Sequence, residues 1–211
     1  EGRPGLRNSL GVTWIRYSDA NPEAGDGLGV SWNHQKPIYP ASVVKLFYAV
    51  AAEQWLKRDL IPDSDELERA LREMIADSSN DATGLVMDLL TGTTSGPMLH
   101  GERWLMWQRQ RNLVNEWLET LLWPELELVN CCQKTWGDGP FGREKSFYGN
   151  DNANRNALTT AATARMLEAV MTGAVVSPPA CRRLRALLHR SLDPAQRRAD
   201  PENQVDGFLG E

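Results

Sequence analysis

The sequence predicts an α/β fold of the α+β type, in which a mainly helical body follows a small antiparallel sheet. Near the N-terminus, two short runs of β-branched and aromatic residues flank a stretch rich in Gly, Pro and Asp, as in a β-hairpin. After residue 40, apolar residues recur at spacings of three and four, the period of amphipathic helices. The chain has 211 residues, 41% of them hydrophobic, with no internal repeat, and is expected to form one folding unit.

The elements follow from local signals. Residues 10–17 and 27–32 form the predicted hairpin, and Pro40 precedes an alanine-rich run that predicts a helix entered near residues 41 or 42 and ending before Pro62. Later apolar stripes and caps predict five more helices, at residues 63–77, at 81–90 with Gly92 closing it, at about 102–123, after Thr159-Thr160 to Gly173, and from Ser177-Pro178 to near Asp193-Pro194.

The sequence also allows predictions about the residues at 102–123 and 124–158. The 102–123 helix has a row of tryptophan and aliphatic residues on one face, which we interpret as core rather than as a ligand site, and Pro124 is expected to end it. Residues 124–158 are rich in Gly, Asn and Asp and are expected to be irregular. A connection of this length usually has a function.

Composition excludes several classes of function. The net charge of −5 argues against nucleic acid as the main partner, and the one basic run, at 182–190, alternates with leucines as on the polar face of a helix. No window reaches the ~18 apolar residues of a membrane span. The three cysteines cannot form a closed disulfide framework and the three histidines stand alone, so we expect no metal and no cofactor.

Ser42 and Lys45 stand at the predicted start of the first helix. Residues three apart share a helix face, so the Lys45 amine can lie near the Ser42 hydroxyl, beside the positive end of the helix dipole. A serine needs a base to act as a nucleophile, and a lysine whose pKa is lowered by burial can serve. The alternative interpretation is a capping serine followed by a surface lysine.

Ser78-Ser79-Asn80 lies at the junction between two predicted helices. A serine and an asparagine two apart in such a break can point into one cleft, where the hydroxyl relays a proton and the carboxamide orients a substrate or the lysine. Plain helix capping is the alternative interpretation.

Together the two elements resemble the penicillin-recognising serine hydrolases, and most closely the class A serine β-lactamases, with their Ser-x-x-Lys, Ser-Asp-Asn and Lys-Thr-Gly motifs. Tyr-Pro-Ala-Ser42-Val-Val-Lys45 is similar to the family's nucleophile helix, and Leu158-Thr159-Thr160-Ala is similar to the helix start after its Ω-loop. The resemblance implies a β-lactamase/transpeptidase-like fold. It implies that Ser42 is acylated, that Lys45 is its base or base partner, that Ser78 carries the proton to the leaving nitrogen and that Asn80 positions lysine and substrate.

The resemblance also implies a glutamate that activates water for deacylation, roughly 15 residues before the Thr-rich helix. Glu144 has that spacing and is the expected base, with a surface carboxylate as the alternative. Glu125, in Trp-Pro-Glu-Leu, is closer to the family's local sequence but lies too far from Thr159 for the same loop. Ser79 replaces the usual Asp of the second motif.

The third motif is missing after the last predicted helix. In the family it lies roughly 50 residues beyond the Thr-rich element, which corresponds to the end of the given sequence. We therefore expect residues 1–211 to be one incomplete domain, with a hairpin at 1–40, a helical part at 41–196 that includes an Ω-loop-like segment at 124–158, and a tail at 197–211 leading to missing strands. Such a segment is expected to expose apolar surface, to be poorly soluble or of low stability, and to be weakly active or inactive by itself.

The expected function is acyl transfer to water through Ser42, with a small-molecule amide or β-lactam as substrate. The alternatives are a D-alanyl-D-alanine peptidase, a glutaminase or an esterase of the same superfamily, and an inactive relative that binds a ligand or partner. The given sequence shows no signal peptide, and a periplasmic or secreted location is implied by the resemblance alone. The oligomeric state is not indicated.

Overall fold

A computed structural model describes residues 5–199 of the chain. A four-residue helix, α1 (Leu6–Ser9), precedes strands β1 (Val12–Arg16) and β2 (Leu28–Trp32), which pair antiparallel with Val12 opposite Trp32 and Trp14 opposite Val30. The predicted hairpin and the mixed, mostly helical class are confirmed.

Nine further α-helices follow in the described chain: α2 (Val44–Lys57), α3 (Asp65–Ala76), α4 (Asn80–Thr91), α5 (Gly101–Arg111), α6 (Leu113–Glu119), α7 (Gly142–Tyr148), α8 (Thr160–Thr172), α9 (Pro178–Leu188) and α10 (Pro194–Ala199). Ser79, Thr159 and Ser177 cap α4, α8 and α9 through side-chain oxygens, and Gly92 and Gly173 end α4 and α8 in the left-handed conformation. These boundaries follow the capping signals in the sequence.

Helix α2 is the centre of the fold. Every side chain from Val44 to Trp55 is buried, and the helix packs against α3, α4, α6 and α9. A mostly apolar helix that is surrounded by others is a core helix. The first turn of α2 is therefore held rigidly by the packing of the whole body.

The predicted helix over residues 102–123 is wrong as a single element, because the chain breaks into α5 and α6 at Asn112. The Asn112 side chain donates to the Gln108 carbonyl, and its backbone N–H bonds to Arg109 in place of the usual helical partner. Asparagine ends helices in this way, by offering the backbone a local partner. The row is core as expected, with Trp107 and Trp117 buried and Trp104 partly buried, but Trp107 packs in a small cluster with Phe147 while Trp117 joins the main core.

Residues 124–158 are more ordered than expected. They contain α7 and two 3₁₀ turns, Pro124–Leu126 and Asn150–Asn152. Asn130 pairs with Ala157, so the two ends of the segment meet as in an Ω-loop. Helix α9 ends at Leu188, before the expected Asp193-Pro194, and α10 follows it; the rest of the predicted tail, 200–211, lies outside the described residues.

The hairpin has two different faces. Toward the body, Thr13 bonds to Thr160 and Tyr17 to Glu168, both on α8. The outer face exposes five large apolar side chains, Val12, Trp14, Leu28, Val30 and Trp32. Within residues 5–199, no helix is long and apolar enough to cross a bilayer.

Candidate functional site

Ser42 lies at the entrance to α2. It belongs to a 3₁₀ turn, Ala41–Val43, that leads directly into the helix, and no side chain caps either element. Ser42 is exposed, whereas Lys45, one turn further, is 2% exposed. Ser42 is therefore not a cap and Lys45 is not a surface residue, so the alternative interpretation of this pair is wrong.

The Lys45 ammonium contacts both ends of the second motif. Its Nζ donates to Ser78 Oγ at 3.1 Å and to Asn80 Oδ1 at 3.1 Å, and it also donates to the Ser78 carbonyl. We call these three residues the Lys45 cluster. Among residues 5–199, no carboxylate forms an ion pair with Lys45.

In this environment the Lys45 amine binds its proton more weakly than a free lysine does. Burial lowers the pKa of Lys45 from 10.5 to about 8, because a charged amine loses hydration inside the protein and finds only neutral oxygens in its place. At neutral pH a fraction of the amine is therefore unprotonated, and a neutral amine can accept a proton from a serine.

Two backbone conformations near the site are strained. Ala41 and Ser78 have φ values of 46° and 56°, in the left-handed region that non-glycine residues rarely adopt. At Ser78 this conformation closes the end of α3, where the Ser79 N–H donates to the Glu73 carbonyl. Glycine is usual at such a position, and strain of this kind is concentrated at functional sites.

Ser79 has a different task from its two neighbours. Its Oγ accepts from the Ala82 N–H at 3.1 Å and caps α4. Capping thus belongs to the middle residue of the motif, while Ser78 and Asn80 turn toward Lys45. Because aspartate is an equally good cap, the change from the usual Asp to Ser79 keeps this local role.

Glu144, on α7, lies in a separate buried network. Its carboxylate pairs with the Arg111 guanidinium and accepts from Ser95 Oγ at 2.8 Å, and both charged side chains are fully buried. Lys134 donates to Asp88 at 2.7 Å and to Ser95 at 3.1 Å. We call these five residues the Arg111–Glu144 network. Of these five residues, only Glu144 was singled out from the sequence.

The expected alternative for Glu144, a surface carboxylate, is wrong because the residue is buried. Within the described part of the chain, Glu144 makes no hydrogen bond to Ser42 or to the Lys45 cluster. The structure thus unites Lys45, Ser78 and Asn80 but leaves Glu144 apart. Glu125 lies in the first 3₁₀ turn of the 124–158 segment and is half-buried.

Helix α4 contributes one residue to each group, Asn80 to the Lys45 cluster and Asp88 to the Arg111–Glu144 network. Asn80, Gly84 and Asp88 follow one another at helical spacing along one face, and Lys134 lies over Gly84. From the other side, the Tyr48 hydroxyl on α2 donates to the Gln133 carbonyl at 2.6 Å. The chain at 133–134 is therefore held between α2 and α4, one turn deeper than the Lys45 cluster.

Comparison with known proteins gives one finding. A family model described as the beta-lactamase enzyme family matches residues 60–200, more than half of the chain. The match includes Ser78, Asn80 and Glu144, and it begins after α2, so that Ser42 and Lys45 precede it. No curated protein and no solved structure matches the chain.

Proposed function

The chain belongs to the beta-lactamase enzyme family, and from this premise we propose that it is a serine hydrolase that forms an acyl-enzyme on Ser42, with β-lactams as its substrates. The observation that carries the proposal is the buried Lys45 amine, bonded to Ser78 and Asn80 one turn from an exposed serine. In this proposal Ser42 is the nucleophile, Lys45 the base and Ser78 the proton relay, and the buried contacts of Lys45 with Ser78 and Asn80 support it.

The proposed acylation moves one proton and forms one bond. The neutral Lys45 amine takes the proton of the Ser42 hydroxyl as Oγ attacks the lactam carbonyl. When the carbon–nitrogen bond breaks, the Lys45 ammonium passes a proton through Ser78 Oγ to the leaving nitrogen. Asn80 holds the amine in place during both transfers, and the N-terminal turn of α2 offers backbone N–H groups to the developing oxyanion.

Release of the acyl group requires an activated water. Glu144 stays our proposed base for this step, and Glu125 is the alternative. The ion pair with Arg111 and the bond from Ser95 occupy Glu144, which favours slow deacylation. That observation favours a second candidate, a D-alanyl-D-alanine peptidase-like enzyme that retains a β-lactam as a long-lived acyl-enzyme.

The test is covalent labelling of protein expressed from its complete open reading frame. Incubation with a fluorescent penicillin should label the wild-type chain at Ser42, and Ser42→Ala should remove the label while Ser79→Ala retains it. Rapid loss of the label with release of hydrolysed penicillin indicates a β-lactamase, and a label that persists for hours indicates the second candidate. Absence of any label on the wild-type protein would contradict both and would favour an inactive binding relative.

We also propose a periplasmic or secreted location, because β-lactams act on enzymes that face the cell wall. Fractionation of the native host with an antibody against the protein tests this. Recovery in the cytosolic fraction would contradict it.

A further inference from the structure

Arg190 joins the ends of two helices. It follows α9, and its Nη1 donates to the carbonyls of Leu187 and His189, at 2.9 and 2.8 Å. Its Nη2 crosses to α3 and donates to the carbonyls of Ile75 and Ala76, at 2.8 and 3.2 Å. Although the residue is exposed, four carbonyl oxygens hold its guanidinium in place.

The contact with α3 compensates for the turn at Ser78. In a continuing helix, the N–H of residue 79 would bond to the carbonyl of residue 75. Ser78 is left-handed, with a φ of 56°, and the Ser79 N–H bonds instead to the Glu73 carbonyl at 3.0 Å. The Ile75 carbonyl accepts from Arg190. The last carbonyls of a helix lack partners within it, so Arg190 supplies a donor that the turn removes.

The same turn carries the oxygens that bind Lys45. The Ser78 carbonyl and Oγ both accept from Lys45 Nζ, and the bond to Oγ is 3.1 Å long. Ser78 comes two residues after Ala76, to which Arg190 donates. A left-handed serine persists only where its surroundings fix it. Arg190 binds the chain just before the turn and Lys45 binds the turn itself, and the helix dipole favours both cations at this end of α3.

A second arginine makes the same kind of contact at another helix end. Arg185, on α9, donates to the carbonyls of Val170 and Met171, at 3.1 and 3.0 Å, in the last turn of α8. The left-handed residue that ends α8 is a glycine, which adopts this conformation without strain. Arg190 differs because the left-handed residue at its helix end is a serine of the Lys45 cluster.

We propose that Arg190 is a positioning residue for the second motif. By binding the last carbonyls of α3 it fixes the Ser78 turn, and the fixed turn keeps both Ser78 oxygens on the Lys45 ammonium. The part that these contacts play in a reaction rests on the proposed function, whereas the contacts themselves do not. Without Arg190 the turn should sample other backbone conformations, and the Ser78 hydroxyl should separate from Lys45 for part of the time.

The first test follows the Lys45 cluster by nuclear magnetic resonance and needs no turnover. Protein expressed from its complete open reading frame is labelled isotopically at lysine and serine, and Lys45→Met and Ser78→Gly identify the two signals. Arg190→Ala should shift both the Lys45 Cε signal and the Ser78 Cα and Cβ signals, which depend on φ and ψ. Arg190→Gln, which keeps one amide donor group, should shift them less, and Arg185→Ala should leave them in place.

Two results of this first test would overturn the proposal. One is that both signals stay in place in Arg190→Ala, or in Arg190→Gln if the alanine variant does not fold. The other is that the Lys45 signal moves while the Ser78 signals do not, because Arg190 would then act through its charge alone and not through the turn.

The second test measures acylation of Ser42 by a fluorescent penicillin in stopped-flow experiments. At saturating penicillin, Arg190→Ala should lower the acylation rate constant about 10- to 100-fold, as expected for a displaced catalytic group. The half-saturating concentration should change little, because Ser78 is proposed to transfer a proton rather than to bind the substrate. Arg185→Ala should change neither quantity, and an equal loss of rate in the two variants would show a general effect on stability and contradict the positioning role.

The two tests together separate this proposal from the proposed function. If the Ser78 and Lys45 signals move in Arg190→Ala but the wild-type protein takes no label at Ser42, the positioning role stands and the serine hydrolase does not. If the wild type is labelled, and Arg190→Ala is labelled at the same rate with unmoved signals, the positioning role alone is wrong.

Discussion

Two groups of buried or partly buried charges lie along helix α4 and differ in how their charge is balanced. The Lys45 cluster places one ammonium among neutral oxygens, while the Arg111–Glu144 network sets two cations against two carboxylates. In the first, burial lowers the pKa of Lys45 to about 8. In the Arg111–Glu144 network, each charged group forms an ion pair with a group of opposite charge. An unbalanced buried charge favours reactivity, and a balanced set favours a fixed structure.

The largest effect is expected from Lys45→Met. If Lys45 is the base, acylation by a fluorescent penicillin should fall about 10³- to 10⁴-fold, near the upper range for a lost general base. The free energy of unfolding should stay the same or rise, because the substitution removes a charge buried without a counter-ion. Stopped-flow labelling and urea unfolding measure the two quantities, and Lys145→Met, at an exposed lysine of α7, is the matched control.

The pH profile sharpens this prediction. Since only the unprotonated amine accepts the proton, the acylation rate should fall about tenfold per pH unit below pH 8 and reach a plateau above it, with a midpoint near the pKa of about 8. A midpoint near that of a free lysine would show that burial does not lower the pKa of Lys45, and a Lys45→Met variant that labels at the wild-type rate would show that Lys45 is not the base.

Glu144→Gln should give the next largest effect, and the quantity that changes is the free energy of unfolding. It leaves the fully buried Arg111 with only the more distant Asp88 carboxylate, at 3.8 Å, and breaking a buried ion pair typically costs about 3–5 kcal/mol. Urea unfolding should show this loss, and the double variant Arg111→Met, Glu144→Leu should recover most of it because both charges are then removed.

The same variant tests the deacylation proposal. If Glu144 activates water, the Glu144→Gln protein that remains folded should keep its penicillin label much longer than the wild type, while Glu125→Gln should not. The reverse result would transfer the role to Glu125. A stability unchanged by Glu144→Gln would contradict the structural importance of the ion pair.

The smallest effects separate the residues of the second motif. Ser79→Ala should lower the free energy of unfolding by about 1 kcal/mol through loss of the α4 cap, with little change in acylation, and Ser79→Asp should be neutral. Ser78→Gly should raise the stability by about 0.5–1 kcal/mol because its left-handed backbone is relieved, yet slow acylation because the hydroxyl is lost. If Ser79→Ala slows acylation more than Ser78→Gly, the division of roles between them is wrong.

The local elements were predictable because their signals lie within a few residues. Runs of β-branched and aromatic residues around a turn-rich stretch predict the hairpin, and Ser79, Thr159 and Ser177 mark helix starts that the structure shows within a residue or two. The 102–123 prediction failed since the periodic row of tryptophans continues across Asn112 while the backbone does not. Whether an asparagine bonds back to its own helix depends on what the two halves pack against.

The sequence by itself determined the helical body, the hairpin and the two motifs that hold Ser42, Lys45, Ser78 and Asn80. Only the tertiary structure decided that Glu144 pairs with Arg111, that Lys134 lies over Gly84, and that Arg190 binds the last carbonyls of α3. Caps and periodicity act over one or two turns of chain, whereas a buried charge takes whichever partner the packing of distant segments brings to it. The electrostatics of a site therefore depend on the fold more than on the motif.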